Sequence, residues 1–132
     1  MRSKPSLTSE DVAKIVAACK KACPDPKRQP TLAIVDAGGH LLHLDRPDRN
    51  GVNTVEMSEL KARTAALRRR PTSAFGKRVE EHPGFLMVPN CLGVPGGVPI
   101  LFEDECLGGV GVSGIDWDDE KIAQVGADAV TG

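Results

Sequence analysis

The chain has little aromatic surface and no long apolar run. Of its 132 residues only Phe75, Phe85, Phe102 and Trp117 are aromatic, and there is no tyrosine. Stacking platforms for single-stranded nucleic acid are therefore not expected. The basic excess that displaces counterions from nucleic acid is also missing, since 17 Lys+Arg face 18 Asp+Glu for a net charge of −1. No apolar stretch approaches the roughly 20 residues of a membrane span. The opening MRSKPSLTSE lacks the apolar core of a secretory signal. The reading is a cytoplasmic single domain over residues 1–132, with neither nucleic acid nor membrane as partner. The four cysteines form no CxxC pair and no zinc-type spacing, so no metal site is expected. Cys19 and Cys23 stand four apart on a helical stretch, where a disulfide fits poorly. Reduced, mostly buried thiols are the expectation.

Against these absences stand 14 glycines and 10 prolines, which punctuate the chain. A helix should begin near Thr8, where the Thr8 or Ser9 hydroxyl can cap the first turn while Asp11 answers back. Val12, Ile15, Val16, Cys19 and Cys23 form its apolar stripe, and Pro24 and Pro26 end it. Thr31–Val35 and His40–Asp45 read as strands joined by Asp36-Ala37-Gly38-Gly39, a hairpin turn. Val52–Arg70 holds strong helix formers, with Met57, Leu60, Thr64 and Leu67 on one face, and a short helix follows Pro71. From Phe85 onward, glycine and proline break short apolar runs, which suggests strands. Val98–Phe102 and Cys106–Val112 form a second hairpin around Glu103-Asp104-Glu105. A last helix starts at Asp116, with Ile122, Val125 and Ala129 inward. Hairpins imply an antiparallel sheet covered by the amphipathic helices, an α+β domain of order α-β-β-α-α-β-β-β-α.

His40 and His43 are three apart on one strand and face opposite sides of the sheet, so they do not chelate one metal together. Each is either a hydrogen-bonded structural residue or, beside a glycine turn, a general base or haem-iron ligand. Lys61 and Arg63 are a solvated cationic edge or a clamp for a carboxylate or haem propionate. Gly96-Gly97 lacks the Gly-Lys-Ser/Thr of a phosphate loop, and Gly108–Gly114 sits in a hairpin strand, not a strand-to-helix turn. Ser113 has no G-x-S-x-G elbow, so serine hydrolysis is unsupported.

The segments LTSEDVAKIVAACKKA, LAIVDAGGHLLHLDR, ELKARTAALRRRPTSAF, GGVPIL and LGGVGVSGIDWDDEKIAQVGADAV together resemble the GlcG/HbpS family of haem-degrading domains, related to the C-terminal domain of PduO-type proteins. The likeness covers nearly the whole chain in order. It implies a profilin-like or PAS-like fold with helices on both faces of a central antiparallel sheet. It also implies homo-oligomers, dimers that can assemble into octamers. Some relatives bind haem or release its iron, one is an extracellular redox-sensing accessory, and others belong to catabolic operons. The chain departs from many relatives at His43-Leu44-Asp45-Arg46. The threonine that ligates haem iron in one relative has Ser113 as its nearest hydroxyl here.

Two functions follow. One is a haem- or small-anion-binding protein, with His40 or His43 at iron, Lys61 or Arg63 on carboxylates, and Gly96, Gly97 and Ser113 lining the site. The other is a cofactor-independent lyase, isomerase or tautomerase on a small oxygenated or aromatic carboxylate. There His40 would shuttle protons, Lys61 and Arg63 would hold the substrate, and Gly96-Gly97 amides would steady an enolate. Both readings place one pocket between the Gly38–His40 turn, the second helix and the Gly96–Gly97 loop.

Overall fold

A computed structural model describes residues 1–132. Four strands, β1 (Thr31–Asp36), β2 (Leu41–Asp45), β3 (Gly97–Phe102) and β4 (Glu105–Ser113), form one antiparallel sheet in the order β2-β1-β4-β3. Four helices cover it: α1 (Ser9–Ala22), α2 (Asn53–Arg68), α3 (Thr72–Glu81) and α4 (Asp119–Thr131). The α+β architecture with helices on both faces is the one expected.

The start of α1 is set locally. Thr8 accepts from the Asp11 amide at 3.1 Å, and Asp11 Oδ2 accepts from the Thr8 amide at 2.9 Å, a reciprocal cap. Because β1 lies between neighbours and under helices on both faces, it is apolar at consecutive positions. Leu32 and Ile34 join Val110 and Val112 beneath Ile15 and Cys19 of α1 and Ile122 and Ala127 of α4. Ala33 and Val35 face the other way, against Ala62 and Ala66 of α2.

That second face corrects the expected orientation of α2. Its buried side is Ser58, Lys61, Ala62, Thr64, Ala65 and Ala66, whereas Leu67 is exposed. Small residues win here because β4 presents glycines to the helix. A Cβ at Gly111 would overlap the Ser58 carbonyl, and one at Gly109 the Ala62 carbonyl, so backbone packs on backbone. On α4, Ala123, Gly126 and Ala127 accompany Ile122 inward, and Val125 is exposed. A Cβ at Gly126 would run into the Cys19 sulfur, which explains the displacement of the larger residue.

The strand expected after Phe85 does not form. Pro83–Met87 is a 3-10 turn and residues 88–96 are irregular, since prolines 83, 89 and 95 remove amides a ladder would need. The turn between β3 and β4 is tighter than expected, Glu103 and Asp104 alone, both at positive φ. The last helix is also delayed: Asp116–Asp118 is a 3-10 turn and α4 starts at Asp119. All four cysteines are free, three of them buried.

Candidate functional site

Lys61 is the least expected residue of the interior. Its side chain is 2% exposed, and its Nζ donates to the Val112 carbonyl at 2.9 Å and to Asp119 Oδ2 at 3.4 Å. Asp119 Oδ1 accepts from the Ile115 amide at 2.9 Å, so the pair ties α2 and α4 to β4 and to the loop that follows it. Burial pushes the Lys61 ammonium below its ordinary range; Asp119 opposes that shift. Burial likewise raises Asp119, against the Ile115 amide and Lys61.

Gly96 and Gly97 belong to the same corner. Gly96 has φ +134, and a Cβ there would stand 2.8 Å from Lys61 Nζ. The Gly97 amide is already used, donating to Thr72 Oγ1 at 3.0 Å. These glycines make room for the lysine and the crossing backbone; the Gly97 N–H is not free to hold an oxyanion.

Outside the pair opens a groove of about 640 Å³, lined among others by Met57, Lys61, Val94, Ser113 and Trp117. Its volume lies within the range of about 300–1,000 Å³ usual for small-molecule sites. Ser113 Oγ is buried at its edge with no hydrogen-bond partner. Trp117 stands fully in solvent on the rim, 99% exposed. Thr54, Gly114 and Asp116 also line a second hollow of about 820 Å³, where Lys27, Arg28 and Arg49 stand among Asp25, Asp48 and Asp116. Arg28 is held there by the Gly114 carbonyl at 3.1 Å and Asp116 Oδ2 at 3.2 Å.

The remaining sequence candidates lie elsewhere. Arg63 sits beside Gly39, where a Cβ would come within 3.0 Å of its Cγ, and its Nε is buried without a partner. It lines a hollow of about 220 Å³ with Glu56, Glu59 and Asn90. The His40 side chain is 81% exposed, with Nδ1 3.3 Å from Asp36 Oδ1. Burial of Asp36 raises its pKa, but hydrogen bonds from the His40 and Gly38 amides and the His40 ring outweigh that and hold it low. His43 is half-buried opposite Ile34, and its Nε2 lacks a partner. The single pocket expected between the three segments is therefore split in two. Residues two apart on a helix point about 200° apart, so Lys61 turns toward Gly96 and Ser113 while Arg63 turns toward Gly39. Met57, expected only on the apolar face of α2, Trp117 and Asp119 line the groove without any local motif to mark them. The one signal for Trp117 was a lone tryptophan in a polar, aspartate-rich stretch.

Residues 7–128 match the family described as haem degrading protein HbpS-like. The chain belongs to this family. It is 34% identical to protein GlcG of Escherichia coli K12 over 114 residues, 86% of this chain and 85% of that protein. A double mutant of Streptomyces reticuli HbpS superposes with a TM-score of 0.90 at 29% identity, covering 100% of this chain and 92% of that one. A PduOC:heme complex shares the fold with a TM-score of 0.83 at 21% identity, covering 95% of each chain. No helix of this family member is long and apolar enough to cross a membrane.

Haem asks for an apolar slot, an axial donor and cations for its propionates. The groove offers the Met57, Val94 and Trp117 surfaces and the Met57 thioether, which accepts from Asn53 Nδ2 at 3.5 Å. Asp116, Asp119 and Glu120 also line it, and of the adjoining cations Arg28 is paired with Asp116 while Lys27 and Arg49 enter no ion pair. No imidazole lines it.

Proposed function

We propose that this protein binds haem, or a similarly amphipathic carboxylated ligand, in the groove between α2, the end of β4 and the Asp116–Asp118 turn. One observation carries the reading: a groove with apolar surface and an unpartnered buried hydroxyl runs into a hollow where Lys27 and Arg49, free of ion pairs, suit carboxylates. Met57 would present its thioether to the iron, and Lys27 with Arg49 would hold the propionates. Ser113 and Lys61 shape the inner wall. Bound there, the cofactor would supply a redox-active iron. The protein's own part is to orient it, screen one face from water and neutralise its acids.

A haemin titration followed at the Soret band and by quenching of Trp117, the single tryptophan, tests this. Saturable binding near one haemin per chain is expected. Met57→Ala should change or abolish the Soret shift, and Lys27→Gln with Arg49→Gln should weaken affinity. Loss of the shift in His40→Ala or His43→Ala, with Met57→Ala unaffected, would overturn this placement.

A second reading, a cofactor-independent isomerase or lyase on a small oxygenated carboxylate, is favoured by the Lys61–Asp119 pair. Burial pushes both groups toward their neutral forms, which suits proton transfer at the groove wall. Solvent-deuterium exchange into a 2-oxo or 2-hydroxy acid, abolished in Lys61→Arg, is its test.

A further inference from the structure

The run Arg68-Arg69-Arg70 ends α2, and Arg69 adopts φ 58 as the chain turns into α3. That left-handed residue brings the arginines on either side of it to one cavity of about 350 Å³, which Arg78 of α3 closes from across the turn. Thr64, Pro71 and Phe75 are among its other lining residues, and none is acidic. Arg68, Arg70 and Arg78 enter no ion pair. In a chain whose net charge is −1, three unneutralised guanidiniums around one cavity form a distinct local field.

Two of the three are fixed in place. The Arg68 guanidinium lies 4.5 Å from the Phe75 ring centroid and that of Arg78 lies 4.7 Å from Phe85. Stacking on a ring leaves the N–H edges of a guanidinium available, so the donors are preorganised without being consumed. Thr64 adds a hydroxyl that accepts from the Leu92 amide at 2.9 Å and keeps its own hydrogen to donate. Mutual repulsion of the three cations is relieved by an anion with several oxygens, and a guanidinium fork matches phosphate and carboxylate geometry.

We infer that this cavity is a binding site for a compact multivalent oxyanion, carried by a phosphate monoester or a small polycarboxylate. It shares no lining residue with the Met57–Trp117 groove and is independent of haem binding there.

Calorimetric titration of the full chain with pyrophosphate, and separately with citrate, at constant ionic strength tests the site. Saturable binding should weaken at least about tenfold in Arg70→Gln and stay unchanged in Lys14→Gln. Tighter pyrophosphate binding marks the phosphoryl source, and tighter citrate binding the carboxylate source. Arg70 is exposed, so its variant should keep the wild-type circular dichroism spectrum and the same haemin response at Trp117. Heat that follows ionic strength alone, or is indifferent to Arg70→Gln, overturns the inference. So does displacement of haemin by pyrophosphate, or capture of single-stranded RNA that pyrophosphate does not displace.

Discussion

Replacing Lys61 by methionine tests the central packing argument. The substitution keeps an unbranched apolar chain of similar length but removes the donor to Val112 and the partner of Asp119. Both ionic side chains are nearly inaccessible, 2% and 8% exposed, so water cannot replace what is lost. Removing one member of such a buried pair costs about 3–5 kcal/mol, because the other charge stays behind. At roughly 3 °C per kcal/mol for a domain of this size, the melting temperature should fall by about 10–15 °C. Lys61→Met with Asp119→Asn should recover much of the loss, since no bare carboxylate remains. The pH dependence has a definite sign. A carboxyl whose folded pKa is raised destabilises the fold progressively as pH climbs from about 3.9 through that raised value. The deficit of Lys61→Met should therefore be larger near about pH 7 than near about pH 4. Urea unfolding followed by far-ultraviolet circular dichroism at both pH values measures it. A variant within about 0.5 kcal/mol of wild type, or a deficit that grows toward acid, would refute the reasoning.

Two other substitutions probe the scaffold. Gly111→Ala drives a Cβ into the Ser58 carbonyl and to 2.7 Å from the Ala62 amide, so it should lose about 3 kcal/mol or more in urea unfolding. Gly84→Ala, whose Cβ would meet nothing within 4 Å, is the control and should stay near wild type. Asp36→Asn should weaken the β1–β2 turn at neutral pH, with the difference from wild type shrinking as pH falls through the depressed Asp36 pKa. Thermal melts across the acid range show whether the gap closes in that direction.

The sequence by itself determined whatever depends on near neighbours in the chain. Thr8 and Asp11 are three apart, which is all a capping box needs, and the start of α1 follows. Asp36-Ala37-Gly38-Gly39 closes a hairpin through the amides of its own turn, so β1 and β2 were legible as a pair. The family resemblance, spread over most of the chain, carried the arrangement of helices on both faces.

Only the tertiary structure decided which face of α2 is inside. Hydropathy favours Leu60 and Leu67, but the glycines of β4 admit a backbone only to small side chains, and Leu67 is left in solvent. That rotation sends Lys61 and Arg63 to different cavities and leaves the solvent-facing His40 outside both of them. The partnership of Lys61 with Asp119 joins residues 58 positions apart. Local spacing encodes turns and caps, but a long-range charge pair and the groove beside it exist only once strands and helices have packed.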